Sequence, residues 1–123
     1  MEEKLKEIQE RFNTAVAFKE VEARFVKTTN FLFNRMEGQI SPHFKLENMI
    51  AHFGTFHTSY IIQVYLEGNI MTITTRNSTY VFEILDAELL EWWNDGVLFE
   101  LGYKEIRLIE EYLNEEFRKG VGL

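Results

Sequence analysis

Cysteine is absent from the 123 residues, and proline occurs once. Without thiols the chain has no disulfide framework, no thiolate metal site and no cysteine nucleophile. The absence also fits a reducing compartment. No apolar run approaches the roughly 18 residues of a membrane-spanning helix. The opening stretch MEEKLKEIQERF is charged throughout, unlike a secretory signal. A cytoplasmic protein without membrane contact is therefore expected, in which the Asn77-Ser78-Thr79 sequon is idle. Glycine is sparse, seven residues scattered singly apart from the Gly120-Val121-Gly122 tail, with neither a Gly-x-Gly-x-x-Gly nor a Walker A loop to cradle phosphate. Ser41, Ser59 and Ser78 lie outside any Gly-x-Ser-x-Gly elbow. No linker composition, repeat or low-complexity stretch divides the chain, so a single domain over residues 1–123 is expected.

Positive charge is also scarce: 13 Lys and Arg stand against 20 Asp and Glu, for a net charge of −7. The imbalance is local. Residues 1–38 carry seven acids and seven bases, whereas residues 86–123 carry ten acids and four bases. Direct binding to nucleic acid needs clustered Lys and Arg and is disfavoured. A basic partner protein, such as one that itself binds nucleic acid, is favoured.

Aromatic rings are plentiful, with eleven Phe, five Tyr and two Trp. Some fill the core, and in so small a domain one or two are expected at an interface. Apolar spacing predicts the elements. Leu5, Ile8, Phe12, Ala15, Phe18, Val21 and Phe25 recur at steps of three and four and predict an amphipathic helix over residues 3–26. Residues 28–37 read as helix or strand. Ser41-Pro42 resembles a capped helix start, with Leu46, Met49, Ile50 and Phe53 as the apolar face and Gly54 as the stop. Residues 59–85 alternate with a period of two, broken at Glu67-Gly68-Asn69 and Arg76-Asn77-Ser78, which predicts a three-stranded antiparallel meander. Residues 97–101 are a candidate fourth strand. Asp86 caps a short helix over 87–94, and a final helix runs from Tyr103 to Lys119 with Ile106, Ile109, Leu113 and Phe117 inward. The expected fold is α+β: a three- or four-stranded meander packed by a long N-terminal helix, a short second helix and two C-terminal helices.

Three groups of residues are candidate sites. Trp92-Trp93 is the sharpest local feature. With Leu89, Leu90 and Trp93 inward, Trp92 falls at the margin beside Glu88, Glu91 and Asp95, a setting that suits contact with Arg or Lys of a partner. Glu110, Glu111, Glu115 and Glu116 form an acidic face on the final helix that could compete for a basic groove. Phe56 is expected in a short loop between helix and sheet, where a binding residue is often carried. Two weaker alternatives stand beside them. His43 and Glu47 on the second helix, with His57 from the following loop, would supply the minimum for an open metal site, but the spacing matches no metal motif and no cofactor is expected. The apolar stripe of the N-terminal helix could form a homodimer. The reading that follows is a small acidic non-catalytic protein-binding module, an inhibitor or adaptor acting through its Glu-rich C-terminal surface. A small-ligand or metal-binding domain and a structural homo-oligomer are the alternatives.

Overall fold

The computed structural model describes residues 2–120, with side chains through Glu116. Helix α1 (Glu2–Val16) leads into strand β1 (Val21–Thr28), a 3₁₀ helix (Phe31–Met36) and β2 (Ile40–Glu47). Strands β3 (Ile50–Phe53), β4 (Phe56–His57), β5 (Ile61–Glu67), β6 (Ile70–Thr75) and β7 (Thr79–Ile84) follow. The one-turn helix α2 (Ala87–Leu90), β8 (Gly96–Glu100) and α3 (Tyr103–Gly120) complete the order. All eight strands form one antiparallel sheet in the order β4-β3-β2-β1-β7-β6-β5-β8.

The expected sheet of three or four strands is therefore corrected to eight, although the meander over residues 59–85 is present as β5-β6-β7 and residues 97–101 overlap β8. The additional strands β1, β2 and β3 come from two segments expected to be helical, and β4 from the loop expected after the second. In the first, α1 stops at Val16, and Val21, Ala23 and Phe25 turn inward while Glu22 and Val26 face solvent. Val21 and Phe25, four apart, fit helical spacing as well as the period of two that Ala23 completes, and pairing with β2 and β7 decides between them. In the second, Phe44 and Leu46 of β2 and Ala51 and Phe53 of β3 are buried on alternate positions. The Asn48-Met49 turn between them shifts the phase and produces helical spacing by coincidence.

Ser41-Pro42 starts no helix. Pro42 lies where the β1–β2 register slips between Val21 and Ala23, a bulge where a missing N–H is tolerated. The Ser41 hydroxyl accepts from the His43 amide at 3.0 Å, so a capping-type interaction serves the bulge. Residues 28–37 are the end of β1 and the 3₁₀ helix, whose first turn is capped by Asn30 through the Leu32 amide at 3.1 Å.

Helix α1 lies against both β2 and β8, which are far apart in the strand order, so the sheet curls around the helix. Its stripe of Leu5, Ile8, Phe12 and Val16 is buried, and Phe12 meets Phe99 of β8 edge to face at 4.9 Å. The stripe considered for a homodimer is thus spent on the chain's own core. Asn13 and Asn48 pin the helix to the β2–β3 turn: Asn13 Nδ2 donates to Asn48 Oδ1 and Asn48 N donates to Asn13 Oδ1, each at 3.0 Å. Phe25, Phe44, Phe53 and Phe82 form the aromatic centre of the core. Among the described residues no helix is long and apolar enough to cross a membrane. The inward position expected for Phe117 lies outside the described side chains.

Candidate functional site

The end of the sheet where β1 begins and β7 finishes carries an open groove of about 600 Å³. Two stretches distant in sequence build it. Ala17, Phe18 and Lys19 come from the connection between α1 and β1 and Val21 from the start of β1, while Asp86, Glu88, Leu89 and Trp92 come from the segment that follows β7. Register brings them together, because β1 and β7 are adjacent with Ala23 opposite Ile84, and the Leu85 amide donates to Glu22 O at 3.0 Å.

Local chemistry sets each side chain. Asp86 caps α2 by accepting from the Leu89 amide at 3.0 Å. That cap fixes the turn in which Leu89 is buried and Trp93 packs on Phe18, edge to face at 5.3 Å. With Trp93 inward, Trp92 is thrown outward and left 78% exposed as a wall of the groove. Apolar surface thus comes from Ala17, Phe18, Val21, Leu89 and Trp92, while Asp86 and Glu88 outnumber Lys19 at the polar positions. The arrangement can hold an apolar side chain beside an indole face and meet an adjoining cation with carboxylates, and cation–π attraction favours the same ligand.

The other anticipated residues are spread over the molecule. Glu91 is exposed on the same turn as Trp92, and Asp95 accepts from the Gly68 amide at 3.1 Å, fastening the β5–β6 turn. The acids of α3 lie at the opposite end of the strands, since Glu110 pairs with Arg76 of the β6–β7 turn at 3.3 Å. Glu111, Glu115 and Glu116 are exposed along that helix. One short partner segment therefore cannot touch both Trp92 and the α3 carboxylates. Phe56 belongs to edge strand β4 and not to a loop. It is half-buried against Phe33 at 4.2 Å and Tyr80 at 6.0 Å, so it serves the core margin.

The histidine alternative places its members apart on β2 and β4. His43 Nδ1 lies 2.6 Å from Glu20 Oε1, Glu47 pairs with Lys45 at 2.8 Å, and His57 Nδ1 is 3.0 Å from the Thr58 carbonyl. The Lys45 hydrogen bond holds the Glu47 carboxyl below its ordinary range. Among the described residues no three His, Asp or Glu side chains gather as a metal would require.

A second, smaller cavity of about 200 Å³ lies under α3, lined by Tyr60, Ile62, Leu101, Ile106, Ile109 and Leu113, with the Arg76–Glu110 pair among its lining residues.

Phe18, Lys19 and Val21 were not anticipated as site residues. The available signal was the alternation Val21-Glu22-Ala23-Arg24-Phe25, which marks a strand and hence a chain reversal just before it. No protein-family model, curated protein or solved structure matches the chain.

Proposed function

We propose that the chain is a non-catalytic protein-binding module, acting as an inhibitor or adaptor, whose groove beside Trp92 receives an apolar segment of a partner flanked by Lys or Arg. The observation that carries this reading is the exposed indole of Trp92 standing over an apolar groove edged by Asp86 and Glu88. Trp is enriched at interface hot spots because it supplies a large, rigid contact surface. The surplus of acids in residues 86–123 supports a basic partner and would speed its approach. This refines the expectation of a Glu-rich contact surface: Arg11 and Arg76 already engage Glu105 and Glu110 of α3, whereas the groove sets its carboxylates beside the apolar surface of Trp92, Leu89 and Phe18.

The test is capture from cell extract at low and high salt with tagged wild-type chain and with the W92A/E88K variant. Both substituted side chains face the open groove, so the variant is expected to fold. A partner that binds wild type, is lost in the variant and weakens at high salt supports the groove. Equal capture by both proteins assigns binding to another surface.

The cavity under α3 favours a second reading, that of a site for a small apolar ligand. Filling the cavity by substituting Ile109→Phe would abolish a ligand-induced rise in melting temperature, and the absence of any such rise in wild type across a panel of apolar compounds would remove this reading.

A further inference from the structure

The end of β1 opposite the groove carries a projection of the chemistry that the groove is suited to receive. The 3₁₀ helix after β1 packs Phe33 and Met36 toward the core. Its other face presents Phe31 and Leu32, which are 78% and 67% exposed. Val26 and Ile40, both exposed, lie at its base on β1 and β2. Lys27 and Arg35 flank the projection, while the Glu37 carboxylate is engaged by the Thr28 amide at 3.1 Å. An exposed Phe-Leu tip with two cations beside it is an apolar segment with a basic border. An exposed apolar site of this kind on a water-facing turn is a marker of an interaction surface.

One chain cannot satisfy its own groove. Phe18, Lys19 and Val21 stand at the start of β1, and the projection follows its end. Eight residues of strand hold the two about 23 Å apart. A projection that fills the groove must therefore come from another copy.

We infer that the Phe31-Leu32 projection of one copy docks in the Trp92 groove of the next, so that the protein self-associates head to tail. The inference rests on the groove reading proposed above and names a second copy of this chain as one occupant of the same site. Charge complementarity argues for it: the exposed Lys27 and Arg35 that flank the projection are opposite in sign to Asp86 and Glu88 at the groove. The two surfaces are different, so the contact is heterologous and leaves one groove and one projection unfilled at the ends of every open assembly. Assembly and partner binding then compete for each groove, and a partner of higher affinity would dissolve the assembly.

Sedimentation velocity over a concentration series tests this, with three proteins: wild type, a projection variant F31S/L32S and a groove variant W92A/E88K. All four side chains are exposed, so both variants should keep the fold, which circular dichroism checks. Wild type is expected to gain mass with concentration, more at low salt than at high salt, without stopping at the dimer unless a ring closes. Each variant alone is expected to stay monomeric. An equimolar mixture of the two variants should form a heterodimer, because one supplies an intact groove and the other an intact projection. Wild type that stays monomeric throughout, or a mixture that stays monomeric while wild type assembles, overturns the inference. A fluorescence titration of F31S/L32S with a synthetic peptide alternating Leu and Arg separates the two readings. Peptide binding without wild-type assembly sinks only the head-to-tail contact, and neither peptide binding nor assembly sinks the groove as well.

Discussion

Met49 occupies the left-handed backbone region at φ 67° with its side chain wholly buried. Together with Asn48 at φ 51° it has the positive-φ signature of a type I′ hairpin turn, where glycine is ordinarily found at the second position. Retaining Met costs about 1 kcal/mol of backbone strain, so the buried thioether must return more than that. Its neighbourhood is structurally central, because the Ile61 amide donates to the Met49 carbonyl at 2.7 Å where β5 begins. Met49→Ala is expected to destabilise the fold by about 2–5 kcal/mol in urea unfolding. A loss below about 1 kcal/mol would show that the burial contributes little.

Thr58, also buried, has a different role. Its hydroxyl accepts from the Ala51 amide at 3.1 Å and donates to the Ser59 carbonyl at 2.8 Å, standing in for the ladder where β4 ends. Thr58→Val keeps the shape and strands the Ala51 amide, at a cost of about 1–3 kcal/mol. Thr58→Ser should recover much of that loss in the same melt, and a valine variant as stable as wild type would mean that the hydroxyl is dispensable.

Between elements, the junction of α1 and α3 turns on Glu105. Its carboxylate accepts from the Gly102 amide at 2.9 Å, half of a capping box at the start of α3, and meets Arg11 of α1 at 2.8 Å. The Arg11 hydrogen bond, assisted by the Gly102 amide, holds the Glu105 carboxyl below its ordinary range despite partial burial. A depressed carboxyl stabilises the fold above its unfolded-state pKa, about 4.3, and that contribution is lost as pH falls through the lower folded-state value. Wild type should therefore exceed Glu105→Gln in stability at pH 7, with the gap closing as the pH drops below about 4. The partial exposure of both partners limits the Arg11–Glu105 coupling to about 0.2–1 kcal/mol in a double-mutant cycle. A gap that persists unchanged into acid would assign the effect to something other than the carboxylate.

How legible each element was in the sequence followed from which forces are local. The β5–β7 hairpins are announced by alternation and by Gly68, which sits at φ 63° in its turn, and residues 97–101 already suggested β8. The Asp86 cap and the placing of Trp93 inward with Trp92 at the margin were likewise readable, since both depend on a single turn. Strands β1 to β4 were not. Val21 and Phe25 satisfy helical and strand spacing together, and pairing with β2 and with β7, over 50 residues later, selects the strand. Ser41-Pro42 imitated a helix start because a hydroxyl bonding an amide two residues on serves a bulge as readily as a cap.

For the whole molecule, the same long-range pairing decides the site. Trp92 could be singled out from its own surroundings, but Phe18, Lys19 and Val21 reach it only because β1 lies beside β7. The run of the strands also separates the acidic surface into two regions, the Trp92 groove where β7 ends and Glu110 of α3 by the turn where it begins. Net charge alone treats them as one.

The most direct test is amide-proton exchange on the chain with and without its captured partner, at a concentration where the chain alone is monomeric. The groove account predicts slowed exchange at residues 17–22 and 86–93, with residues 110–116 of α3 unchanged. Protection confined to α3, with the groove exchanging as in the free chain, would contradict it and return the binding surface to the acidic helix.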